Sequence, residues 1–219
     1  GAITAEVEAF AKEAAGQQTG LEAIRAVYVA VMKKLSGRDA ALTVSAAASV
    51  SQDRGSRLWL LKASLEALGF SPSIVAVRAF TADPAPYLFP HEGVLPYVCL
   101  RVPMPENQAL WLDTSTRFAP FGELPEYALG EREAYTLPQP GRPLQKLKTP
   151  AASARPGKTV KLTMSLTDQG VLTGEGIEEY SGFEAAELSE ALESLSVEQR
   201  TQALQQFQNP EATQRRLTD

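Results

Sequence analysis

Residues 53–69, which read DRGSRLWLLKASLEALG, are the stretch of this sequence that decides the predicted fold. Apolar residues recur in it at three- and four-residue spacing, at Leu58, Leu61, Leu65 and Leu68. This periodicity is typical of a helix that buries one face. The polar run 51–53 offers an N-cap, and Gly69 stands where a helix ends in a left-handed cap. The sequence therefore predicts a buried helix over 54–68.

Further elements are predicted on both sides of this helix. Residues 73–80 are rich in β-branched side chains, and Tyr97–Pro103 is a second apolar run of strand character. Helical periodicity precedes the central helix over 3–15 and again over 19–35, where Thr19 is the predicted N-cap. We therefore expect an α+β fold in which helices pack on an antiparallel sheet.

The central helix resembles that of the transglutaminase-like family of papain-type fold, especially its bacterial, multidomain, envelope-associated branch. In that family the motif Gly-Asp-Cys precedes a leucine-rich helix, which is followed by Ala-Gly and a strand. The family's usual spacing, counted back from Gly69, places the catalytic cysteine position at Arg54 and the preceding aspartate at Asp53. The resemblance implies a papain-like transglutaminase core.

Two further segments resemble the family in the same order and spacing. Tyr97–Pro103 is similar to the strand that begins with the catalytic histidine, and Tyr97 holds that position here. Residues 111–115, WLDTS, are similar to the family's Trp-Leu-Asp-x-Thr signature. The resemblance therefore assigns Asp113 to the aspartate that orients the histidine.

The residues at these three positions lack the family's chemistry. An arginine guanidinium stays protonated and is a poor nucleophile, and a tyrosine with an ordinary pKa of about 10 is no base near neutral pH. We therefore expect a pseudoenzyme with no catalytic residue. Asp113 is expected either to pair with Arg54 or to accept a hydrogen bond from Tyr97, in a polar cluster. The candidate binding residues are Arg54, Tyr97, Asp113 and Trp59.

The composition argues against several classes of function. The 219 residues include one cysteine and one histidine, which excludes an internal disulfide and a Cys/His metal cluster, and we expect no cofactor. A Cys99–His91 dyad is disfavoured, because Cys99 lies in an apolar run and is expected in the core, while His91 lies in a proline-rich loop. A net charge of −5 without a basic stripe argues against nucleic acid. No apolar run is long enough for membrane insertion.

Proline-rich stretches divide the chain into a predicted transglutaminase-like core, 1–148, and a C-terminal unit, 149–219. Alternating apolar residues over 158–180 predict a half-buried β-hairpin, and two helices are predicted to follow. This unit resembles part of the β-rich domain that follows the core in the same bacterial branch. We therefore expect either an incomplete domain or a unit that docks on the core, in a chain that is a piece of a longer protein.

The resemblance implies a catalytically inactive module that binds protein, peptide or cell-wall glycan, or acts as a scaffold. It also implies a place in the bacterial envelope or periplasm. Two other functions stay open: an active hydrolase or acyl transferase that uses Ser56, Tyr97 and Asp113, and a purely structural domain whose site is filled by Arg54 and Trp59. Coincidence of the three motifs on an unrelated α+β domain is a further alternative. An open site beside Arg54 favours binding, and a filled site favours structure.

Overall fold

The structure is a computed structural model that describes residues 3–35, 44–78, 95–138, 141, 143–152, 157–193 and 195–208. It combines helices with antiparallel sheets, which confirms the α+β class predicted from the sequence. His91 and the end of the first predicted strand, 79–80, lie outside the described residues.

The first part of the chain contains the helices α1 (Ala5–Ala15), α2 (Gly20–Lys34), α3 (Ala46–Gln52) and α4 (Arg57–Ala67). A five-stranded antiparallel sheet of order β3-β2-β1-β4-β5 follows, formed by β1 (Ser73–Val77), β2 (Tyr97–Pro103), β3 (Ala109–Leu112), β4 (Glu133–Thr136) and β5 (Lys146–Lys148). A 3-10 turn, Glu126–Ala128, precedes β4. The last described elements are a hairpin of β6 (Lys158–Leu166) and β7 (Leu172–Tyr180), then α5 (Gly182–Glu193) and α6 (Val197–Gln208).

Helix α4 begins at Arg57, three residues later than the sequence predicts. Its N-cap is Ser56, whose Oγ accepts a hydrogen bond from Trp59 N–H over 3.4 Å. The predicted cap, Asp53, instead ends α3 with a left-handed φ of 51°. The short connection 53–56 therefore separates two helices, and Arg54 lies in this connection rather than in α4.

Gly55 makes the tight connection between α3 and α4 feasible. Its φ is 145°, on the side of the map that side chains disfavour, and a Cβ there would lie 2.0 Å from Ser49 Oγ. Ser49 is fully buried, so its side chain has little room to move away. Position 55 therefore requires glycine for two reasons: its backbone conformation disfavours a side chain, and the contact with Ser49 leaves no room for one.

We expect Gly55→Ala to lower the free energy of unfolding by about 2–3 kcal/mol, since it combines backbone strain with overpacking. Gly69→Ala is the matched control, because Gly69 also has a positive φ, 85°, but open space around its Cβ position. We expect the control to cost about 1 kcal/mol from strain alone. Urea denaturation of both variants measures the difference, and equal costs would refute the role of the Ser49 contact.

The C-terminus of α4 has the left-handed cap that the sequence predicts. Gly69 N–H donates to Glu66 O and Phe70 N–H donates to Leu65 O, each over 3.0 Å, which are the two bonds of a Schellman motif. Leu60, Leu61 and Leu65 are fully buried. Helix α4 is therefore the central helix of the core, packed against α1, α2 and α3 and reaching β2.

Side chains on the two faces of the sheet belong to two apolar clusters, because successive strand residues point to opposite faces. Ile74, Leu100 and Leu112 pack with the helices. On the other face a second cluster packs beneath the segment around the 3-10 turn; its buried members are Val75, Val77, Tyr97, Cys99, Trp111, Leu124, Ala128 and Ala134. The predicted placement of Cys99 in the core is confirmed, since its side chain is buried there.

The β6–β7 hairpin has the predicted strands, but the prediction that it is half-buried is wrong. The apolar face of β6 carries Val160, Leu162, Met164 and Leu166, which are 47–71% exposed. Gly176 and Gly174 stand opposite Leu162 and Met164, so the partner strand supplies no side chains to cover them. The alternation that indicates burial from sequence is present, but no described element packs on it.

Helix α5 attaches the C-terminal part to the core. Ala186 is buried, and Arg117, in the segment after β3, forms an ion pair with Glu193. The capping box predicted for α6 is confirmed, since Ser196 and Gln199 exchange side chain to backbone hydrogen bonds. Thr19 is the N-cap of α2 as predicted, but its side chain makes no capping bond. The division of the chain at residue 148 stays a prediction.

Candidate functional site

Tyr97 and Asp113 are brought together on the sheet. Tyr97 is the first residue of β2, and Asp113 follows the last residue of β3, the strand paired with β2. The Tyr97 hydroxyl donates a hydrogen bond of 2.5 Å to Asp113 Oδ2. Asp113 Oδ1 accepts two more, from Ser115 N–H at 2.8 Å and from Ser115 Oγ at 2.6 Å. Asp113 is completely buried, and both of its carboxylate oxygens have donors.

Burial shifts the ionisation of this pair. Loss of solvent raises the pKa of Asp113, while the hydrogen bonds from Ser115 and Tyr97 oppose the shift. Burial, followed by the nearby Asp113 charge, raises the pKa of Tyr97 far above its ordinary value. The Tyr97 hydroxyl is therefore a permanent hydrogen-bond donor. The Tyr127 ring packs edge-on against the Tyr97 ring, with ring centroids 5.5 Å apart.

Arg54 does not join this pair, so the alternative in which Asp113 pairs with Arg54 is wrong. Its side chain is exposed, and its Nε donates to Gln52 Oε1 over 3.2 Å. No hydrogen bond or ion pair joins Arg54 to Asp113, both of which are described. The reason is the late start of α4, which leaves Arg54 at the exposed beginning of the connection after α3. The neighbouring Asp53 forms an ion pair of 2.5 Å with Lys34.

A different arginine, Arg57, supports the loop that carries Asp113. Arg57 is 1% exposed, and its Nε donates to Leu35 O over 2.8 Å. Its NH1 donates to the carbonyl oxygens of Thr114 and Ser115, over 3.1 and 3.0 Å. The side chain thus ties the end of α2 to the segment after β3. The sequence motifs do not single out Arg57, although a charged residue four positions before Leu61 falls on the leucine stripe.

Tyr28 anchors the same segment from α2. Its hydroxyl lies 2.9 Å from both Asp113 O and Ala119 O, and its ring is packed edge-on against Phe121. Tyr28 is buried, and burial followed by the Asp113 charge raises its pKa. The backbone from Asp113 to Ala119 is therefore fixed by side chains from α2 and α4.

The other candidate residues lie apart from the Tyr97–Asp113 bond. Trp59 is half-buried against the helical core, and its indole Nε1 has no hydrogen-bond partner among the described residues. Ser56 is fully buried, and its hydroxyl caps the N-terminus of α4. Burial and the Asp113 charge raise the pKa of Cys99, which disfavours its thiolate.

Two classes of site are absent from the described part of the chain. No group of three or more His, Cys, Asp or Glu side chains there has an arrangement that could hold a metal ion. Among the described helices, none has the length and apolar character needed to cross a membrane.

Comparison with known proteins adds little to this geometry. No family model matches the chain, and no curated protein matches it. A solved structure named as a "putative protease" from Parabacteroides distasonis ATCC 8503 is similar with a TM-score of 0.39 and 13% identity. The match covers 60% of this chain and 26% of that one, so this chain spans about a quarter of that protein. A similarity of this size carries no argument about fold family or function.

Proposed function

We propose that this protein is a catalytically inactive transglutaminase-like module of papain-type core that binds a partner or acts as a scaffold in a larger bacterial protein. The partner class we propose is protein, peptide or cell-wall glycan of the bacterial envelope. One observation carries the proposal: the Asp113 carboxylate, which the family uses to orient a base, is bonded to a protonated tyrosine hydroxyl. Tyr97 in this state donates a hydrogen bond to Asp113, and because it keeps its proton it cannot take one from a nucleophile.

The described nucleophiles also lack the partners that acyl transfer needs. A serine or cysteine nucleophile requires a neighbouring base or a lowered pKa. Cys99 is buried with a raised pKa, and Ser56 is buried with its oxygen occupied as a helix cap. The described residues contain no imidazole, since the single histidine, His91, lies outside them. The burial of Cys99 and the capping role of Ser56 favour the inactive module over an enzyme with non-standard residues.

The bonds around Asp113 favour a scaffolding role for the site itself. Tyr97, Ser115 and Tyr28 hold the residue and its backbone, and Arg57 holds the next two carbonyl groups. These donors come from α2, α4, β2 and the segment after β3. The polar cluster thus joins the helical layer to the sheet. A purely structural domain is the second candidate, and the same bonds favour it.

Restoring the two lost side chains tests whether the site has the family's arrangement. In Arg54→Cys/Tyr97→His we expect the introduced thiol to titrate near the ordinary value of about 8.5, because Arg54 is exposed before α4 and makes no described bond to the Tyr97–Asp113 pair. Arg54→Cys alone is the matched control and is expected to titrate near the ordinary value. The pH dependence of iodoacetamide labelling measures both. Cys99 contributes no background in the folded protein, because it is fully buried.

A thiol pKa that falls in the double variant but not in Arg54→Cys alone would show that positions 54 and 97 can form a catalytic pair, and would contradict the inactive, scaffolding site. The inactivity is tested separately, by assaying the unmodified protein for release of ammonia from glutamine peptides and for peptide hydrolysis. We expect neither activity above buffer. Turnover that is lost in Ser56→Ala would overturn the proposal in favour of the non-standard enzyme.

A further inference from the structure

A cleft of about 200 Å³ lies at the end of the sheet away from Tyr97. Its walls are formed by the start of β1, the end of β2 and the segment that connects β4 to β5. Arg101 of β2 stands directly opposite Ser73 of β1, so both side chains project from the same face of the sheet. Arg101 also shares a face with Tyr97, four residues and about 13 Å away along the strand. The cleft is therefore separate from the Tyr97–Asp113 site.

Arg101 differs from the other arginines in the described part of the chain. Arg101 is half-buried and lines the cleft, and its side chain makes no hydrogen bond or ion pair with a described residue. Every other described arginine has a hydrogen-bond or ion-pair partner; they are Arg25, Arg54, Arg57, Arg78, Arg117, Arg132 and Arg200. A half-buried arginine without a partner leaves its donors available to a ligand.

The rest of the lining suits an anion with an apolar body. Among the described residues that line the cleft, none is an aspartate or a glutamate, so no described lining carboxylate neutralises the Arg101 charge. The Ser71 and Ser73 hydroxyls and the Gln145 amide supply further donors. The remaining lining is largely apolar, from Pro103, Leu137 and Pro143. One positive charge, several neutral donors and an apolar wall match a singly charged carboxylate on a small aliphatic group.

We propose that this cleft binds the carboxylate of a small aliphatic acid, either free or at the C-terminus of a peptide. The guanidinium of Arg101 receives both carboxylate oxygens in its planar fork, and the serine hydroxyls complete the shell. The cleft volume is below the roughly 300 Å³ at which typical drug-sized sites begin, so it admits about one residue. This inference rests on residues outside the Tyr97–Asp113 site and goes beyond the proposed function.

Titration of the full chain, followed by amide chemical shifts of Ser73 and Arg101, tests the proposal. The probes are N-acetylalanine, its methyl ester, inorganic phosphate and acetyl-Gly-Gly-Ala with a free C-terminus. We expect saturable millimolar binding of N-acetylalanine and much weaker binding of the ester and of phosphate. If the tripeptide binds, the carboxylate recognised by the cleft is that of a peptide C-terminus. If the tripeptide does not bind, the ligand is a free small acid. Equal binding of ester and acid would overturn the proposal, as would no binding of the acid.

Variants localise the site and separate it from the proposed function. Arg101→Gln is expected to weaken N-acetylalanine binding at least about tenfold, since it removes the charge-assisted bidentate contact. Arg54→Gln is the matched control, because it removes an exposed arginine elsewhere, and we expect unchanged affinity. Arg101→Gln removes no described intramolecular bond, so it is expected to fold. Unchanged affinity in Arg101→Gln would refute the site, whatever the outcome for the Arg54→Cys/Tyr97→His titration.

Discussion

Arg57→Ala is expected to lower the free energy of unfolding by about 3–5 kcal/mol, among the largest effects of any single substitution in this chain. Arg57 is fully buried and donates to the carbonyl oxygens of Leu35, Thr114 and Ser115. Truncation leaves these acceptors without their charged donor and opens a cavity among buried side chains. Loss of hydrogen bonds to a buried charge costs about 1.5–3 kcal/mol each before any relaxation.

Arg54→Ala provides a control of the same residue type only three positions away. Arg54 is exposed and makes one side-chain bond, to Gln52, so we expect a change within about 0.5 kcal/mol. Arg57→Lys keeps the charge but loses the planar fork, and we expect an intermediate cost. Urea denaturation monitored by tryptophan fluorescence measures all three. Equal stability of Arg54→Ala and Arg57→Ala would refute the structural role of Arg57.

The sequence was sufficient to predict elements that depend on local chemistry. The leucine periodicity of α4, the glycine cap at Gly69 and the bounds of β2 all follow from side-chain pattern and local backbone preference. The start of α4 depends instead on how α3 ends. Residues 46–52 have a sequence of small residues that favours no element, and their helix is stabilised by packing against α1 and α4. Tertiary contacts therefore decided the boundary that the local pattern misplaced.

The candidate site was predictable only where strand order determines proximity. Tyr97 and Asp113 meet because β2 and β3 pair as neighbours and the two residues lie at the adjoining ends. The arginine that supports this region was misassigned for a physical reason. A spacing rule points to Arg54, but the Ser56 cap delays the helix and places Arg57 on its buried side instead. The burial of Arg57 depends on the carbonyl groups of Leu35, Thr114 and Ser115, which are distant in sequence and therefore not visible in the local pattern.

Asp113 is expected to give the protein a specific pH dependence of stability. A carboxyl whose pKa is higher in the folded protein than in the unfolded chain holds its proton more tightly when folded. Its contribution to stability is therefore greatest below the unfolded pKa of about 3.9 and is lost as the pH rises through the folded pKa. Asp113→Asn removes this titration. The difference in unfolding free energy between the unmodified protein and Asp113→Asn should thus fall as the pH rises from 3.5 to about 7.

Tyr97→Phe is expected to lower the free energy of unfolding by about 1–3 kcal/mol at neutral pH, because a buried carboxylate oxygen of Asp113 loses its donor. It is also expected to extend the loss of stability caused by Asp113 ionisation to higher pH. The hydrogen bond from Tyr97 lowers the pKa of Asp113, so its removal raises that pKa further. Tyr127→Phe is the control, since Tyr127 touches the Tyr97 ring but has no described hydrogen bond to Asp113. Denaturation curves at several pH values measure the profiles. If Tyr97→Phe and Tyr127→Phe show the same pH profile, the Tyr97 hydroxyl does not control Asp113. The double variant Tyr97→Phe/Asp113→Asn assigns the effect. If Tyr97→Phe displaces the pH profile only when Asp113 is present, the displacement comes from the hydrogen bond between the two side chains.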